Sequence, residues 1–257
     1  MSYRDIKEIF NINRIASVNN TVDWRPIILS GVNDDIDTAT VPEDLTRFNS
    51  GQFYFPSTAS TLSVVSASAN DTSAGTGARL LLIEGLDINW REINEYVTMN
   101  GLTPVVTTNS YFRVNFVRVV TSGTGKTNAG NITLTHGATV MRGIVAGESQ
   151  AHGLVFSTPE GHELYMSHVR FGFNRGAGAG LAEIVNYTFV STANTRYLGT
   201  FYTISEQTPI ITNDFNGFAL PRVPEKCDTW YTVRYVSSNN TNVSGSVRGT
   251  LVKTKIL

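Results

Sequence analysis

Apolar and polar residues alternate along most of this chain, in short runs closed by Gly, Pro, Asn and Asp. A two-residue period is the mark of half-buried strands. Residues 52–55, aromatic and stopped by Pro56, read as one strand, and residues 62–67 as a second. The loop 68–78 consists almost wholly of small and turn-forming residues, which let a chain turn without bulky side chains. A strand over 79–84 follows. In 92–99, Ile93, Val97 and Met99 share a face with Glu95, while Asn94, Tyr96 and Thr98 take the other, and Asn100-Gly101 marks a turn. In 111–120, Phe112, Val114 and Phe116 fall on one face; the other mixes Arg113 and Asn115 with Val117 and Val119. A glycine-rich turn at 122–130 leads into Ile132 and Leu134. Turns about every ten residues predict an antiparallel sandwich or jelly roll.

A polar, glycine-spaced stretch at 143–153 divides this series from a second one: 154–158, 163–173, 184–191, 196–205, 230–236 and 243–255. Pro221 and Pro224 bracket a segment read as non-strand. Residues 30–50 are loop-like, with Gly31, Asn33, Asp34, Asp35, Asp37 and Pro42. The convincing helical signal is at the start, where Ile6, Ile9 and Phe10 fall at helical spacing behind a Ser2 cap. The expected architecture is all-β: an antiparallel β-sandwich or jelly-roll-like fold in two lobes, with a short N-terminal helical or extended arm. Residues 1–50 form arm and loop, 51–143 the first lobe and 144–257 the second.

Composition narrows the function. Of 257 residues 41% are hydrophobic, enough for a core and too many for disorder. Charged residues make up 16%, against roughly 25% in ordinary globular domains. Ser, Thr and Asn supply polarity instead, which suits surfaces covered by another protein, where buried charge is costly. The net charge of −1 offers no basic field for nucleic acid. Arg248, Lys253 and Lys255 read as solvated gatekeepers on an edge strand. The single cysteine, Cys227, excludes an intrachain disulfide and reads as a small buried hydrophobe. Residues 1–20 lack the apolar centre of a secretory leader, and no apolar run approaches a membrane span.

Several motifs suggest chemistry and fall short of it. Residues 122–127, Ser-Gly-Thr-Gly-Lys-Thr, resemble the end of a phosphate loop, but the first glycine of that pattern is Val120 and strand formers follow where a helix is required; a hairpin turn is expected. Gly176, Gly178 and Gly180 miss the dinucleotide spacing because position 181 is Leu, and Arg175 beside them reads as a solvated loop residue. His162-Glu163 lacks the second histidine of a zinc helix, since the next is His168; His136 and His152 stand in separate turns. Asn33, Asp35, Asp37 and Asp44 are spaced like part of a calcium loop, yet Thr38 replaces its glycine and Asp44 its terminal Glu. Asn-x-Ser/Thr triplets begin at Asn19, Asn70, Asn131, Asn186, Asn239 and Asn242, as an Asn- and Thr-rich chain produces by chance. No catalytic, cofactor-binding or metal-binding residue is assigned, and no cofactor is expected.

Residues 71–79, Asp-Thr-Ser-Ala-Gly-Thr-Gly-Ala-Arg, then Gly85-Leu86-Asp87, Glu95, Val97, Asn100-Gly101 and Thr103-Pro104-Val105, form a pattern that resembles virion structural proteins of tailed bacteriophages, in particular those of marine and cyanobacterial hosts. Pro159-Glu160-Gly161, Leu220-Pro221, Pro224-Glu225-Lys226, Asp228, Asn239-Asn240 and Val243-Ser244-Gly245 extend the likeness in patches over 50–257. Cys227 departs from it, standing where a small polar residue is expected. The resemblance implies a non-enzymatic structural part of a virion, assembled in the host cytoplasm. A capsid decoration, cement or other head-associated protein is expected, with the major capsid protein or other virion proteins and copies of itself as partners. No direct nucleic acid or membrane partner is expected. The alternative is a tail-associated receptor- or glycan-binding module, with Trp90, Tyr96, Tyr111 and Tyr202 stacking on sugars. A hydrolase reading would need two convergent carboxylates.

Overall fold

The computed structural model describes residues 23–175, 180–190, 194–205, 209–214 and 221–254, and the expected N-terminal helix lies outside them. No helix occurs among the described residues. Their strands, in chain order, are β1 (Trp24–Ile36), β2 (Glu43–Asp44), β3 (Ser63–Ser66), β4 (Ala78–Leu86), β5 (Glu92–Thr98), β6 (Val105–Val106), β7 (Arg113–Ser122), β8 (Ile132–His136), β9 (Thr139–Ile144), β10 (Val155–Ser157), β11 (His162–Arg175), β12 (Leu181–Val190), β13 (Thr195–Ser205), β14 (Ile210–Asp214), β15 (Arg222–Val223), β16 (Cys227–Val236) and β17 (Thr241–Lys253).

All pair antiparallel, in four sheets. The first runs β1-β17-β11-β14 with β15 beside β11; the second runs β10-β16-β12-β13 with β2 beside β16. Ile27, Leu29, Leu164, Phe171 and Val247 of the first share one hydrophobic core with Phe156, Ile184, Tyr231 and Val233 of the second. The rings of Phe171, Tyr202 and Tyr231 meet at its centre, with centroids 5.0 and 5.4 Å from Phe171. The third sheet is β6-β3-β8-β9 and the fourth β5-β4-β7. Val64, Ile132 and Leu134 share a second core with Leu81, Ile83, Val97 and Val117. Each fully buried side chain of this size contributes about 1.5–3 kcal/mol, enough to fix which face of a strand points inward.

Five expectations are corrected. Residues 30–50 are not simply a loop: they hold the second half of β1, which pairs with β17 from Trp24↔Val252 to Asn33↔Val243. The alternation Ile27, Leu29, Gly31, Asn33 does point inward, but it ends on glycine and a buried amide, and the acidic run after it hides the strand. Residues 52–55 form no strand. Residues 122–130 make no hairpin, because β7 and β8 belong to different sheets and the segment crosses between them. β17 is not an edge: it lies between β1 and β11, with Arg248 and Lys253 exposed, and Lys255 lies outside the described residues. Between Pro221 and Pro224, β15 pairs briefly with β11 at Leu164↔Val223.

Candidate functional site

The most concentrated chemistry is a buried polar seam between the two cores. It begins with a bulge. The pairing of β4 with β7 slips between Glu84↔Phe116 and Gly85↔Val114, leaving Asn115 out of register. Val114 and Val117 thereby both reach the second core, while Arg113 and Asn115 face β10 and β16.

Arg113 donates from Nε and Nη2 to the two carboxylate oxygens of Asp228 on β16, each at 2.9 Å. Its Nη1 donates to the carbonyls of Pro56 and Phe112 at 2.9 and 2.8 Å. The pair is nearly dry, with side chains 6% and 1% exposed. Ser157 Oγ donates to Asp228 at 2.5 Å, and Asn115 exchanges two hydrogen bonds with the Ser157 backbone, both 2.9 Å. Rings enclose the guanidinium: Phe112 lies 3.9 Å from it, Phe55 and Trp90 5.3 Å. Such stacking over aromatic faces favours a desolvated cation.

A second guanidinium enters from β9. Arg142 donates from Nε to Val114 O at 3.0 Å, and from Nη2 to Asn115 O and Val155 O at 3.3 Å. Burial lowers its pKa to about 10, so it stays charged at neutral pH. Phe53 lies 5.6 Å from it. The aromatic residues 53–55 thus cover the seam as an irregular strap, which explains why their pattern gave no strand. Phe53, Tyr54, Phe55, Arg113, Arg142 and Ser157 help line a cavity of about 10 Å³, room for roughly one water molecule. Organic ligands need roughly 300 Å³ or more. Chemically the seam is a clamp: its guanidiniums donate to fixed acceptors, and its carboxylate is bound on both oxygens.

The 71–87 phrase organises a second fully buried carboxylate. Asp71 accepts from Ser66 Oγ and Ala78 N, both 2.6 Å, and from Ala129 N and Gly130 N at 2.8 and 3.0 Å. It ties loop 71–78 to the crossover 122–130. A Cβ on Gly77 would stand 2.0 Å from Asp71 Oδ1, and one on Gly123 2.2 Å from Gly75 O. These glycines permit backbone packing and cradle no phosphate. Arg79 Nε donates to Gly75 O, and Asp87 Oδ1 accepts from Asn89 N and Arg91 N in the following turn.

The other weighed residues are scattered. Of the four aromatics considered for sugars, Trp90, Tyr111 and Tyr202 are buried and Tyr96 alone is exposed, at 61%. That overturns the stacking platform, because residues on core-facing positions cannot meet a glycan. His136 meets Thr58 O, His162 meets Glu160 O, and His168 meets Asp214. Ser30 Oγ and His152 Nδ1 lie 2.6 Å apart, but Glu148 is 3.9 Å from His152 Nε2, too far for a hydrogen bond. Asn33 donates to Glu43, Asp37 accepts from Asn240 N, and Asp44 accepts from Phe53 N and Thr232 Oγ1, so the calcium-like spacing does not converge. No cluster of three His, Cys, Asp or Glu that could hold a metal occurs among the described residues. Cys227 is fully buried, its thiol pushed up to about 11, first by desolvation. The side chain of Arg175 lies outside the described residues.

Sequence reasoning missed Arg142 and Ser157 entirely, and it quoted Asp228 only as part of the virion-protein resemblance, with no buried partner. It did place Arg113 and Asn115 among valines, and that mixed face was the available signal.

No family model matches the chain, and no curated protein matches it. Among solved structures it is similar to the PBSX exported protein XepA, at 11% identity over 89% of this chain and 86% of that one, with a TM-score of 0.20. It is also similar to the protein of infectious bursal virus-derived T=1 particles, at 10% identity over 91% of this chain and 79% of that one, with a TM-score of 0.14.

Proposed function

We propose that this chain is a non-enzymatic structural component of a tailed-phage particle, built as two sandwich-like lobes and held in the particle by contacts with other copies and with the major capsid protein. A capsid decoration or other head-associated role fits best. The supporting observation is β13. It is the outermost strand of its sheet among the described residues, and seven consecutive residues, Thr195 to Phe201, are exposed. Seven in a row means that both faces of the strand meet solvent. Tyr197, Leu198 and Phe201 are about half exposed, and Arg196 is the single charge on the strand. Outer strands of stable monomers are blunted by charges, proline or shortness, whereas this one is long, apolar and nearly uncharged, as a surface kept for a protein partner is. The low overall charge and the resemblance of residues 71–105 to phage virion proteins point the same way.

Particles assembled without the chain provide the test. Purified wild type should bind them stoichiometrically, and a cryo-electron microscopy map should place it on the head. The variant Leu198→Lys/Phe201→Lys should keep its circular dichroism spectrum and fail to bind. Density on the tail would move the role to the tail module; no association with either would refute the virion reading.

A further inference from the structure

The outer face of the second sheet passes from a covered region to an open one. Residues directly opposite each other on paired strands point to the same side of a sheet. Trp230 on β16, Tyr187 on β12 and Leu198 on β13 form one such row; Asp228, Phe189 and Arg196 form the next, and Thr232, Val185 and Phe201 a third. At β16 the face is covered: Asp228 meets Arg113, and the Phe55 ring lies 5.1 Å from Trp230. Trp230 carries the aromatic contact on to Tyr187, 5.5 Å away, and beyond it Leu198 and Phe201 are exposed. A bulge makes this open part apolar. The pairing of β12 with β13 slips between Val185↔Phe201 and Tyr187↔Leu198, so Gly199 and Thr200 together oppose Asn186. Leu198 and Phe201, three residues apart, therefore share the outer face. Two arginines border it: Arg196 lies 4.7 Å from the Tyr187 ring and Arg234 5.6 Å from the Phe201 ring. Neither is ion-paired among the described residues, not even with Glu183, one row further along the same face. The free edge of the sheet is thus an apolar strip, continuous with the seam, with an unneutralised cation at each end. Alternate residues of such an outermost strand also turn N–H and C=O groups away from its neighbour.

We propose that β13 and this face together bind an extended acidic segment of a partner protein, which adds to the sheet as a strand and sets an apolar side chain between Leu198 and Phe201 and a carboxylate on each arginine. The rows of Phe189 and Val185, which carry Arg196 and Phe201, are four residues apart along β12. At roughly 3.3 Å per residue that is about 13 Å, so the segment carries Asp or Glu at two positions four apart, with an apolar residue midway. β13 of a second copy is not the occupant, because its single charge is Arg196 and it would bring cation to cation. The inference rests on the reading of β13 as a partner surface and adds the chemistry of the partner.

The test titrates the full chain with the peptide acetyl-Thr-Glu-Thr-Val-Thr-Glu-Thr-amide and with its counterparts carrying Gln or Lys in place of both Glu. Two exposed ion pairs are worth about tenfold in affinity, so the Glu peptide should bind about tenfold more tightly than the Gln peptide, and the Lys peptide most weakly. The order should flatten as salt screens the charges. Arg196→Glu/Arg234→Glu should reverse it, so that the Lys peptide binds best, while Arg170→Glu, an exposed change on the first sheet, should leave it as in the wild type. Amide exchange over residues 196–201 should slow on binding. Should the double variant not fold, the three peptides against the wild type decide. Equal affinities, no binding by any peptide up to millimolar concentration, or protection away from β13 would overturn the proposal. Particle binding that depends on Leu198 and Phe201 without a charge order among the peptides would refute this inference and leave the virion reading standing; the charge order without particle binding would do the reverse.

Discussion

The seam makes a quantitative prediction at Asp228. Replacement by Asn keeps the shape and removes the charge. In the wild type both carboxylate oxygens accept from Arg113, and one also accepts from Ser157 Oγ. An asparagine retains one acceptor oxygen and turns its amide toward a guanidinium N–H, donor against donor. Arg113 is 5% exposed and cannot swing to water without leaving the Phe112 ring. Breaking a buried pair from one side costs about 3–5 kcal/mol, so Asp228→Asn should lose about 4 kcal/mol. Arg113→Met and Asp228→Leu should each lose a similar amount, since each strands the partner's buried charge. The double variant Arg113→Met/Asp228→Leu removes both charges and should lose only about 2–3 kcal/mol, the residue coming from the orphaned carbonyls of Pro56 and Phe112. The coupling energy is then about 5 kcal/mol or more, far beyond the few tenths seen for independent sites. Urea unfolding followed by tryptophan fluorescence and far-ultraviolet circular dichroism measures it. Arg113 belongs to a strand of the second core and Asp228 to a strand of the first, so the single variants should also separate the two probes' transitions. A loss under about 1 kcal/mol for Asp228→Asn, or additive single and double variants, would refute the clamp.

Three further outcomes follow from named contacts. Desolvation, opposed by hydrogen bonds from Phe53 N and Thr232, pushes the Asp44 pKa up from 3.8 to about 6. The native state then binds the proton more tightly than the unfolded chain, so this contribution is complete below about pH 4 and fades as pH rises through 6; lowering pH from 7 to 5 should add about 1 kcal/mol from this group, and Asp44→Asn should remove that slope. Gly77→Ala drives a methyl against Asp71 and should cost about 3 kcal/mol or more in urea midpoints, whereas Gly172→Ala, 3.0 Å from the movable Ser244 hydroxyl, should cost under about 1 kcal/mol; equal losses would count against the Asp71 tie. Cys227 should resist a thiol reagent in native buffer and react at once in urea; rapid native labelling would contradict its burial.

What the sequence disclosed depended on how local the cause was. Strand identity in β4, β5 and β17 was legible because one face of each meets a core, and the two-residue period records that directly. β1 was hidden because its inward positions include Gly31, which a larger side chain could not occupy against Leu154 and Leu45, and Asn33, whose amide bonds Glu43 and the Asp44 carbonyl. Both residues read as loop formers until their partners are known. The seam was hidden for the same reason at longer range: Arg113 and Asp228 are 115 positions apart, and no motif links the two. A single bulge at Asn115 decides that Arg113 faces a carboxylate rather than solvent, and no period announces a bulge. Yet the trace was present. A strand that sets Arg and Asn beside valines must either expose the valines or bury the polar groups, and burial requires partners. The phrase at 71–87 illustrates the converse. Its small residues were read correctly as a turn, but the reason they must be small is Asp71, whose oxygens collect N–H groups from crossover residues 58 and 59 positions further along. Turn propensity therefore located the loop, and long-range hydrogen-bond satisfaction explains its composition.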